Sequence, residues 1–208
     1  MPELFSDHLG SLAAFRASPT EVQLEIARYH RRFAAITASV VASIAGVCDF
    51  LGPLQPSIPT RWALLSHGDW TLFLDNVARQ GPIALATEIG RRLSVEWFGL
   101  RAWGHSRWWI HGEGAEQKRT VYAQKEGARW VFFQDGETRD YENVLQYSRR
   151  RRDRRLTVDC VLTYATRAMG LTFPVDWASV SWEQSILLER DTASFREQPL
   201  SFDLICDV

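Results

Sequence analysis

The sequence predicts an α+β fold in which an antiparallel meander sheet is packed by N-terminal and C-terminal helices. Apolar residues recur at helical spacing in residues 1–52, short apolar runs separated by turn residues fill residues 61–142, and helical spacing returns in residues 143–208. This order, helices then strands then helices, is typical of α+β proteins. A chain of 208 residues with 46% hydrophobic and 24% charged residues has the length and composition of one domain with its own core.

The N-terminal segment is predicted to be helical throughout residues 1–52, and Gly46 is the point where it could divide into two helices. The tetrapeptide Ser18-Pro19-Thr20-Glu21 has the composition of a helix start. Steps of three and four residues place the apolar residues on one helical face: Val22, Ile26, Tyr29, Phe33, Ile36, Val40, Ile44 and Val47.

One uncharged stretch, FAAITASVVASIAGVC, lies between Arg32 and Asp49. It is shorter than the ~20 residues that a membrane-spanning helix needs, so we expect a helix buried against the sheet and no contact with a membrane. The N-terminus contains acidic residues and no apolar core of a signal peptide.

The three cysteines are far apart and fit neither a disulfide framework nor a zinc site. This indicates a reducing compartment, the cytoplasm.

Residues 61–142 are predicted to form mainly antiparallel sheet. A hairpin is expected from Arg61–Ser66 and Trp70–Asp75 around a Gly-Asp turn, followed by a helix over Ile83–Leu93. Four more strands are separated by turns too short for parallel crossovers: Val95–Trp103, Ser106–Glu113, Arg119–Gln124 and Arg129–Gln134. In the C-terminal part we expect helices over Tyr141–Arg152 and Thr157–Met169 and a late strand over Ser185–Arg190.

The residue types that carry chemistry do not form a known pattern. The sequence contains no metal-binding spacing of His or Cys, no G-x-S-x-G elbow and no phosphate-binding glycine loop. We therefore expect no catalytic residue, no cofactor and no metal. The best remaining cluster is His67 and Asp69 with His111 and Glu113, which would serve a hydrolase if the fold brought the four together.

Two charged clusters lie close together in the sequence. Asp135, Glu137 and Asp140, with Glu142, follow the last predicted strand of the meander. They could form a general acid/base or divalent-ion site, meet a basic partner or lie in a solvated turn. A basic cluster comes next and could pair with the acidic one, meet an acidic partner or bind phosphate: Arg149, Arg150, Arg151, Arg152, Arg154 and Arg155. A net charge of −1 argues against nucleic acid as the main partner.

Tryptophans crowd the predicted meander. Trp108 and Trp109 are adjacent, so in a strand they point to opposite faces of the sheet. If one lies in the core, the other lies on the opposite face, where it is exposed unless helices cover it or Arg side chains stack over its ring. Because Trp, Tyr and Arg are common interface anchors, an open face would be a partner-binding surface.

Two stretches resemble small bacterial immunity-type proteins that accompany secreted toxins, of the polymorphic or type VI kind. One is RWALLSHGDWTLFLDNVARQG and the other is ARWVFFQDGETRDYENVLQYSRRRRDRRLTVDCVLTYATRAMGL, with the patterns W-x-L-F-x-D-N, W-x-F-F-x-x-G…x-Y-E…Y and R-x-x-R-R-L-T…Y…G-L. The resemblance covers about a third of the chain. It implies a protein that neutralises a cognate toxin by direct binding, and it carries over no residue's role.

The function we predict is therefore protein binding of the immunity or antitoxin kind. The expected contact residues are drawn from the tryptophan-rich meander and the acidic turn: Arg107, Trp108, Trp109, Asp135, Glu137 and Asp140. A hydrolase without a known motif and a nucleic-acid regulator that uses Arg149–Arg155 are the alternatives. The sequence alone does not indicate an oligomeric state.

Overall fold

The computed structural model describes residues 11–30, 36–40, 44–52, 61–76, 83–103, 105–170 and 185–190. Its strands are β1 (Ser11–Phe15), β2 (Ile36–Val40), β3 (Arg61–His67), β4 (Trp70–Asp75), β5 (Glu96–Trp103), β6 (Ser106–Glu113), β7 (Glu116–Glu126), β8 (Arg129–Gly136) and β9 (Ser185–Arg190). Its helices are α1 (Pro19–His30), α2 (Ile44–Leu51), α3 (Ile83–Leu93), α4 (Val144–Tyr147) and α5 (Val158–Met169), with a 3-10 turn at Arg152–Arg154.

The strands of the described residues form one antiparallel sheet, in the order β2-β9-β3-β4-β1-β5-β6-β7-β8. The α+β class is confirmed. Strands β5 to β8 are the expected meander, but the other half of the sheet has a more complex topology. Strand β1 enters between β4 and β5, and β9 enters between β2 and β3, so both ends of the described chain contribute interior strands.

The apolar spacing predicted helix throughout the N-terminal segment, and this prediction is wrong, because the segment also contains β1 and β2. Helix α1 begins where expected, because Ser18 and Glu21 form reciprocal bonds, with Ser18 N donating to Glu21 Oε2 at 2.9 Å and Glu21 N to Ser18 Oγ at 3.3 Å. Residues Ile36–Val40 are a strand paired with β9. The β-branched residues of this ITASV segment suit a sheet, and its pairing partner lies about 150 residues away. None of the described helices is long and apolar enough to cross a membrane.

The hairpin β3–β4 and helix α3 have the predicted positions, and Gly68 in the hairpin turn has a φ of +55°. Strands β7 and β8 are longer than predicted. The helix expected over Tyr141–Arg152 is wrong, since only Val144–Tyr147 is α-helical before the 3-10 turn. Clustered arginines repel one another at helical spacing, and here Arg152 and Arg155 donate to backbone carbonyls outside the helix. Helix α5 has the predicted Thr157 N-cap, which accepts from Cys160 N at 3.2 Å, and ends at left-handed Gly170.

Two hydrophobic cores lie on opposite faces of the sheet. On the face that we call the first face, α2, α4 and α5 pack over strands from β9 to β7. On the second face, α1 and α3 pack over strands from β9 to β5 and reach Ile110 of β6. Helices therefore cover both faces of one half of the sheet.

Trp97 holds α3 against the sheet on the second face. It is fully buried, and an added Cβ at Gly90 of α3 or at Gly112 of β6 would lie 2.2 Å or 2.1 Å from its ring. The ring therefore fills the space that these two glycines leave on either side. Its Nε1 donates to the carbonyl of Gly114 at 3.3 Å.

We predict that Gly90→Ala destabilises the protein, although Ala is favoured over Gly in a helix by about 1 kcal/mol. The new methyl group would overlap the Trp97 ring, and such overpacking costs roughly 1–3 kcal/mol. Urea unfolding followed by circular dichroism measures the change. Combining Gly90→Ala with Trp97→Leu should cost less than the sum of the two single changes, because the smaller side chain leaves room for the methyl group. Strict additivity, or stabilisation by Gly90→Ala, would contradict this packing.

Candidate partner-binding surface

The adjacent tryptophans of β6 separate onto the two faces of the sheet, as their alternation predicts. Trp109 is fully buried in the first-face core, where it stacks on Phe98 at a centroid distance of 4.8 Å. Trp109 is therefore removed from the expected contact residues. Trp108 lies half-buried on the second face, at the rim of the core below α1 and α3.

Trp108 belongs to a row of large side chains that crosses four strands of the second face. The strand register places Arg101 beside Trp108, Trp108 beside Tyr122, and Tyr122 beside Phe133. We call these four residues the aromatic row. The rings of Tyr122 and Phe133 stack at 5.1 Å with 23° between their planes, and Phe133 is 43% exposed.

The aromatic row is open because the second-face core ends before it. Among the described residues, the last buried member of that core on the meander side is Ile110, which is 9% exposed. Trp108 and Tyr122 are half-buried, and exposure rises toward Phe133. Stacked aromatic rings of this kind present apolar area that a partner can cover with little loss of side-chain entropy.

The acidic residues expected to contact a partner lie at one end of this surface. Asp135 is exposed and shares the second face with Phe133, two residues before it on β8. Glu137 and Asp140 are exposed in the segment that follows β8. The structure therefore brings Asp135 together with the aromatic row and places Glu137 and Asp140 beyond the end of the same strand.

Arg107 points to the first face, away from Trp108. Its Nη1 donates to the carbonyl oxygens of Asp153 at 3.0 Å and Leu156 at 3.2 Å, and its guanidinium lies 4.7 Å from the ring centroid of Trp130. Burial lowers the pKa of Arg107, with the neighbouring charges of Asp153 and Arg154 acting in opposite directions. The expected contact residue Arg107 thus connects β6 to the arginine-rich segment within the chain.

The arginine-rich segment Arg149–Arg155 lies along the first face beside β8. Arg155 donates to the carbonyl of Arg149 at 2.7 Å and places its guanidinium 5.5 Å from the ring centroid of Phe132, while Arg152 reaches the carbonyl of Trp130 at 3.5 Å. Arg151 pairs with Asp153 at 2.9 Å.

These ion pairs of the segment are internal to it and do not involve the acidic turn, contrary to the intramolecular pairing that the sequence allowed. Arg154 also pairs with Asp153, at 3.9 Å. Arg149 and Arg150 are exposed.

A buried ion pair, which the sequence did not reveal, anchors the chain after β8. Arg119 Nη2 lies 2.7 Å from Glu142 Oε2, and the side chains are 1% and 0% exposed. Tyr147 Oη donates to the same carboxylate at 2.9 Å and lies 3.0 Å from Tyr164 Oη. Burial raises the pKa of Tyr147 and of Tyr164, so both remain protonated. Glu142 is thus not part of an exposed acidic cluster.

Arg119 also binds the turn at the end of β8. Its Nη1 donates to the carbonyls of Asp135 at 3.2 Å and Gly136 at 3.0 Å, and its Nη2 to Gln134 Oε1 at 3.0 Å. Gly136 has a φ of +81°, and a Cβ there would lie 2.1 Å from the carbonyl oxygen of Lys118. A side chain is therefore excluded at this turn by both conformation and space.

The cluster proposed for hydrolysis does not assemble. His67 lies on β3 and His111 on β6, four strand spacings apart in the sheet, which is roughly 19 Å. His111 is buried and has other partners, with Nε2 3.0 Å from Glu96 Oε1 and Nδ1 2.8 Å from Arg139 Nη2. Within the described ranges, no three His, Cys, Asp or Glu side chains are grouped to hold a metal ion.

A cleft lies on the first face, opposite the aromatic row. It has a volume of about 580 Å³ and is bordered by the segment after β8 and by α5. Its walls carry Arg149, Arg154 and Arg167 together with the carboxylates of Glu142 and Asp159. Arg167 donates to the carbonyl of Tyr141 at 3.3 Å. The mixed charges do not indicate one class of ligand.

Comparison of the chain with protein-family models, curated proteins and solved structures finds no match.

We predict that Glu142→Gln destabilises the protein by roughly 3–5 kcal/mol, because it leaves the Arg119 charge buried without its counter-ion. Chemical denaturation of the two purified proteins measures the difference. Asp140→Asn is the matched control, since it removes a carboxylate two residues away that is exposed, and its effect should stay within about 0.5 kcal/mol. Equal effects of the two substitutions would show that the ion pair does not anchor this segment.

We predict that stability falls as the pH is lowered through the titration range of His111. Burial, assisted by the Arg139 charge, lowers the pKa of His111 below 6.5, so the unfolded chain takes up a proton that the folded chain resists. Above pH ~6.5 His111 is neutral in both states and costs no stability. As the pH falls from there toward the lower pKa of the folded state, proton uptake by the unfolded chain lowers the free energy of unfolding. Unfolding curves of the wild type and His111→Gln from pH 7.5 downward measure it. The wild type should lose more stability than the variant, and parallel profiles would refute this role of His111.

Proposed function

We propose that this chain is an immunity-type binding protein that neutralises a partner protein by covering it with the open part of the second face. The observation that carries the proposal is the aromatic row, in which stacked rings rise out of a rigid sheet toward solvent. The resemblance of the sequence to toxin-neutralising immunity proteins points to a toxin as the partner. We propose that the neutralisation takes place in the cytoplasm.

The geometry of the row suits an anchoring site. Trp108 and Tyr122 are fixed by the backbone register of three hydrogen-bonded strands, so their positions are set before a partner arrives. Pre-ordered side chains lose less entropy on binding, which favours affinity. Trp, Tyr and Arg are also the residue types that most often contribute large binding energies at interfaces.

The acidic residues at the Asp135 end of the row favour a partner with a basic patch at that position. Asp135 lies on the same face, and Glu137 and Asp140 extend the negative charge beyond the strand end. These carboxylates would steer and orient a basic partner more than they would add affinity. The arginine-rich segment lies on the opposite face, so its charge does not cancel theirs at the surface of the row.

The first experiment identifies the partner. Tagged protein is used to capture proteins from source-cell lysate, with and without nuclease, and the bound proteins are identified by mass spectrometry. A single protein that is retained after nuclease treatment, arrests growth when expressed alone and is tolerated when expressed with this chain supports the proposal. Retention that depends on nucleic acid and weakens steeply with salt would favour the alternative role for Arg149–Arg155.

We predict that Trp108→Ala and Phe133→Ala each weaken binding of the captured partner, by about 2 kcal/mol or roughly thirtyfold for Trp108 at the centre of the row. Titration calorimetry with the purified partner measures the affinity. Leu145→Ala is the matched control, because Leu145 is 83% exposed on α4, away from the row, and its removal should leave affinity unchanged. Unchanged affinity in both row variants would refute this surface.

A further inference from the structure

Strand β8 is an edge of the described sheet, and the hydrogen bonds of β7 indicate which backbone groups of β8 point outward. Lys125 N of β7 donates to the carbonyl of His105 on the β6 side at 2.7 Å. Because N–H and C=O groups alternate along a strand, the neighbouring residues Gln124 and Tyr122 point their backbone groups toward β8. Their register partners on β8 are Val131 and Phe133.

The remaining residues of β8 therefore direct their backbone groups away from β7. These are Trp130, Phe132 and Gln134, and the carbonyl of Trp130 does meet Arg152 from outside the strand, at 3.5 Å. The interaction is long and comes from an exposed side chain, which can withdraw when a better donor arrives. An edge of outward backbone groups is a template for another strand.

The sequence of β8 is complementary to itself. In an antiparallel pair of two β8 strands centred on Phe132, Trp130 lies opposite Gln134 of the second copy, and these are the residues with outward backbone groups. Val131 then lies opposite Phe133, and Arg129 opposite Asp135 of the second copy, on the second face. These two pairs fall at the positions without hydrogen bonds, where the Cα atoms are ~4.5 Å apart and side chains approach most closely.

The charges outside the strand follow the same symmetry. The arginine-rich segment lies beside Trp130, and the acidic residues Asp135 and Glu137 lie at the other end of β8. Antiparallel pairing places the basic end of each copy beside the acidic end of the other. A parallel arrangement would place like charges together, so electrostatics select the antiparallel one.

We propose that two copies of this chain pair through their β8 edges into a two-fold symmetric dimer with one continuous sheet. The interface is isologous, since each contact occurs twice. It joins the two aromatic rows, because Phe133 of each copy lies beside Val131 of the other. This dimer goes beyond the proposed partner binding and does not depend on it.

The test uses the purified full chain alone, in sedimentation-velocity runs over a wide range of protein concentrations. We expect a concentration-dependent species of twice the 23.8 kDa chain mass, which dissociates as salt is raised. Arg129→Glu places a negative charge opposite Asp135 of the other copy, and the contact occurs twice in the dimer. Asp135→Arg likewise places a positive charge opposite Arg129 of the other copy. Each change should weaken the dimer by about tenfold.

Mixing the two variants distinguishes this register from any other. In a mixed dimer, Glu at position 129 meets Arg at position 135, and the native Asp135 of one chain meets the native Arg129 of the other. The mixture should regain the wild-type dissociation constant, although each variant alone has lost it. Asp69→Arg, the same charge change in the exposed turn between β3 and β4, should leave the dimer intact.

Circular dichroism of each variant verifies that the chain is folded. A wild-type chain that stays monomeric at all concentrations overturns the proposal. A dimer that withstands both charge reversals, or that the mixture fails to restore, overturns the β8 register.

Discussion

The buried ion pair between Arg119 and Glu142 determines which face of the meander is covered. Arg119 projects from β7, the strand next to β8 at the edge of the described sheet, to the first face, and its counter-ion comes from the chain after β8. A charge with 1% exposure must be paired, so the chain is compelled to fold back over the first face. The segment after β8 then carries Tyr147 and the arginine-rich segment to that side, and α5 follows. No comparable buried charge draws a described segment over the second face of β7 and β8.

This asymmetry accounts for the different fates of two adjacent tryptophans. Trp109 lies under the returning chain, where Tyr141 and Tyr164 pack edge-on against it at 5.9 Å and 6.3 Å. Trp108, one residue earlier, meets the second face just beyond the end of its core. The half-buried state of Trp108 is therefore a consequence of where the helical layer stops. The aromatic row lies on the part of the second face beyond the core that α1 and α3 form with the sheet.

The sequence predicted the local elements well because local signals specify them. The hairpin β3–β4, helix α3 and the Thr157 cap depend on turn residues, apolar periodicity and capping groups within a few positions. The sequence-based prediction was wrong or silent where pairing with a strand distant in sequence determines the structure. Ile36–Val40 has helical spacing with its neighbours yet pairs with β9, and the central position of β1 depends on β4 and β5. Propensity carries little information about such pairings.

The candidate surface was also predictable only where local sequence signals specify it. Strand alternation alone required Trp108 and Trp109 to face opposite sides, but which one would be exposed depended on the route of the chain after β8. Arg107 looked like an interface anchor because Arg often is one, whereas the structure uses it to hold Asp153 and Leu156 carbonyls. Glu142 looked like a member of an acidic turn, and only its distance to Arg119, 23 residues away in sequence, assigned it to the core.

The edge of β8 and the aromatic row are physically linked, because Phe133 belongs to both and Val131 lies next to Phe133 on the same face of β8. Their side chains lie on the open face, while the backbone of the same strand ends the sheet. A strand paired to this edge would extend the apolar surface and bury part of the exposed area of Phe133. Any protein that binds the row must then also meet the neighbouring copy, and its affinity would depend on the concentration of this chain. That dependence would follow from β8 pairing, and it would distinguish a binding surface formed by one copy from a surface formed by two.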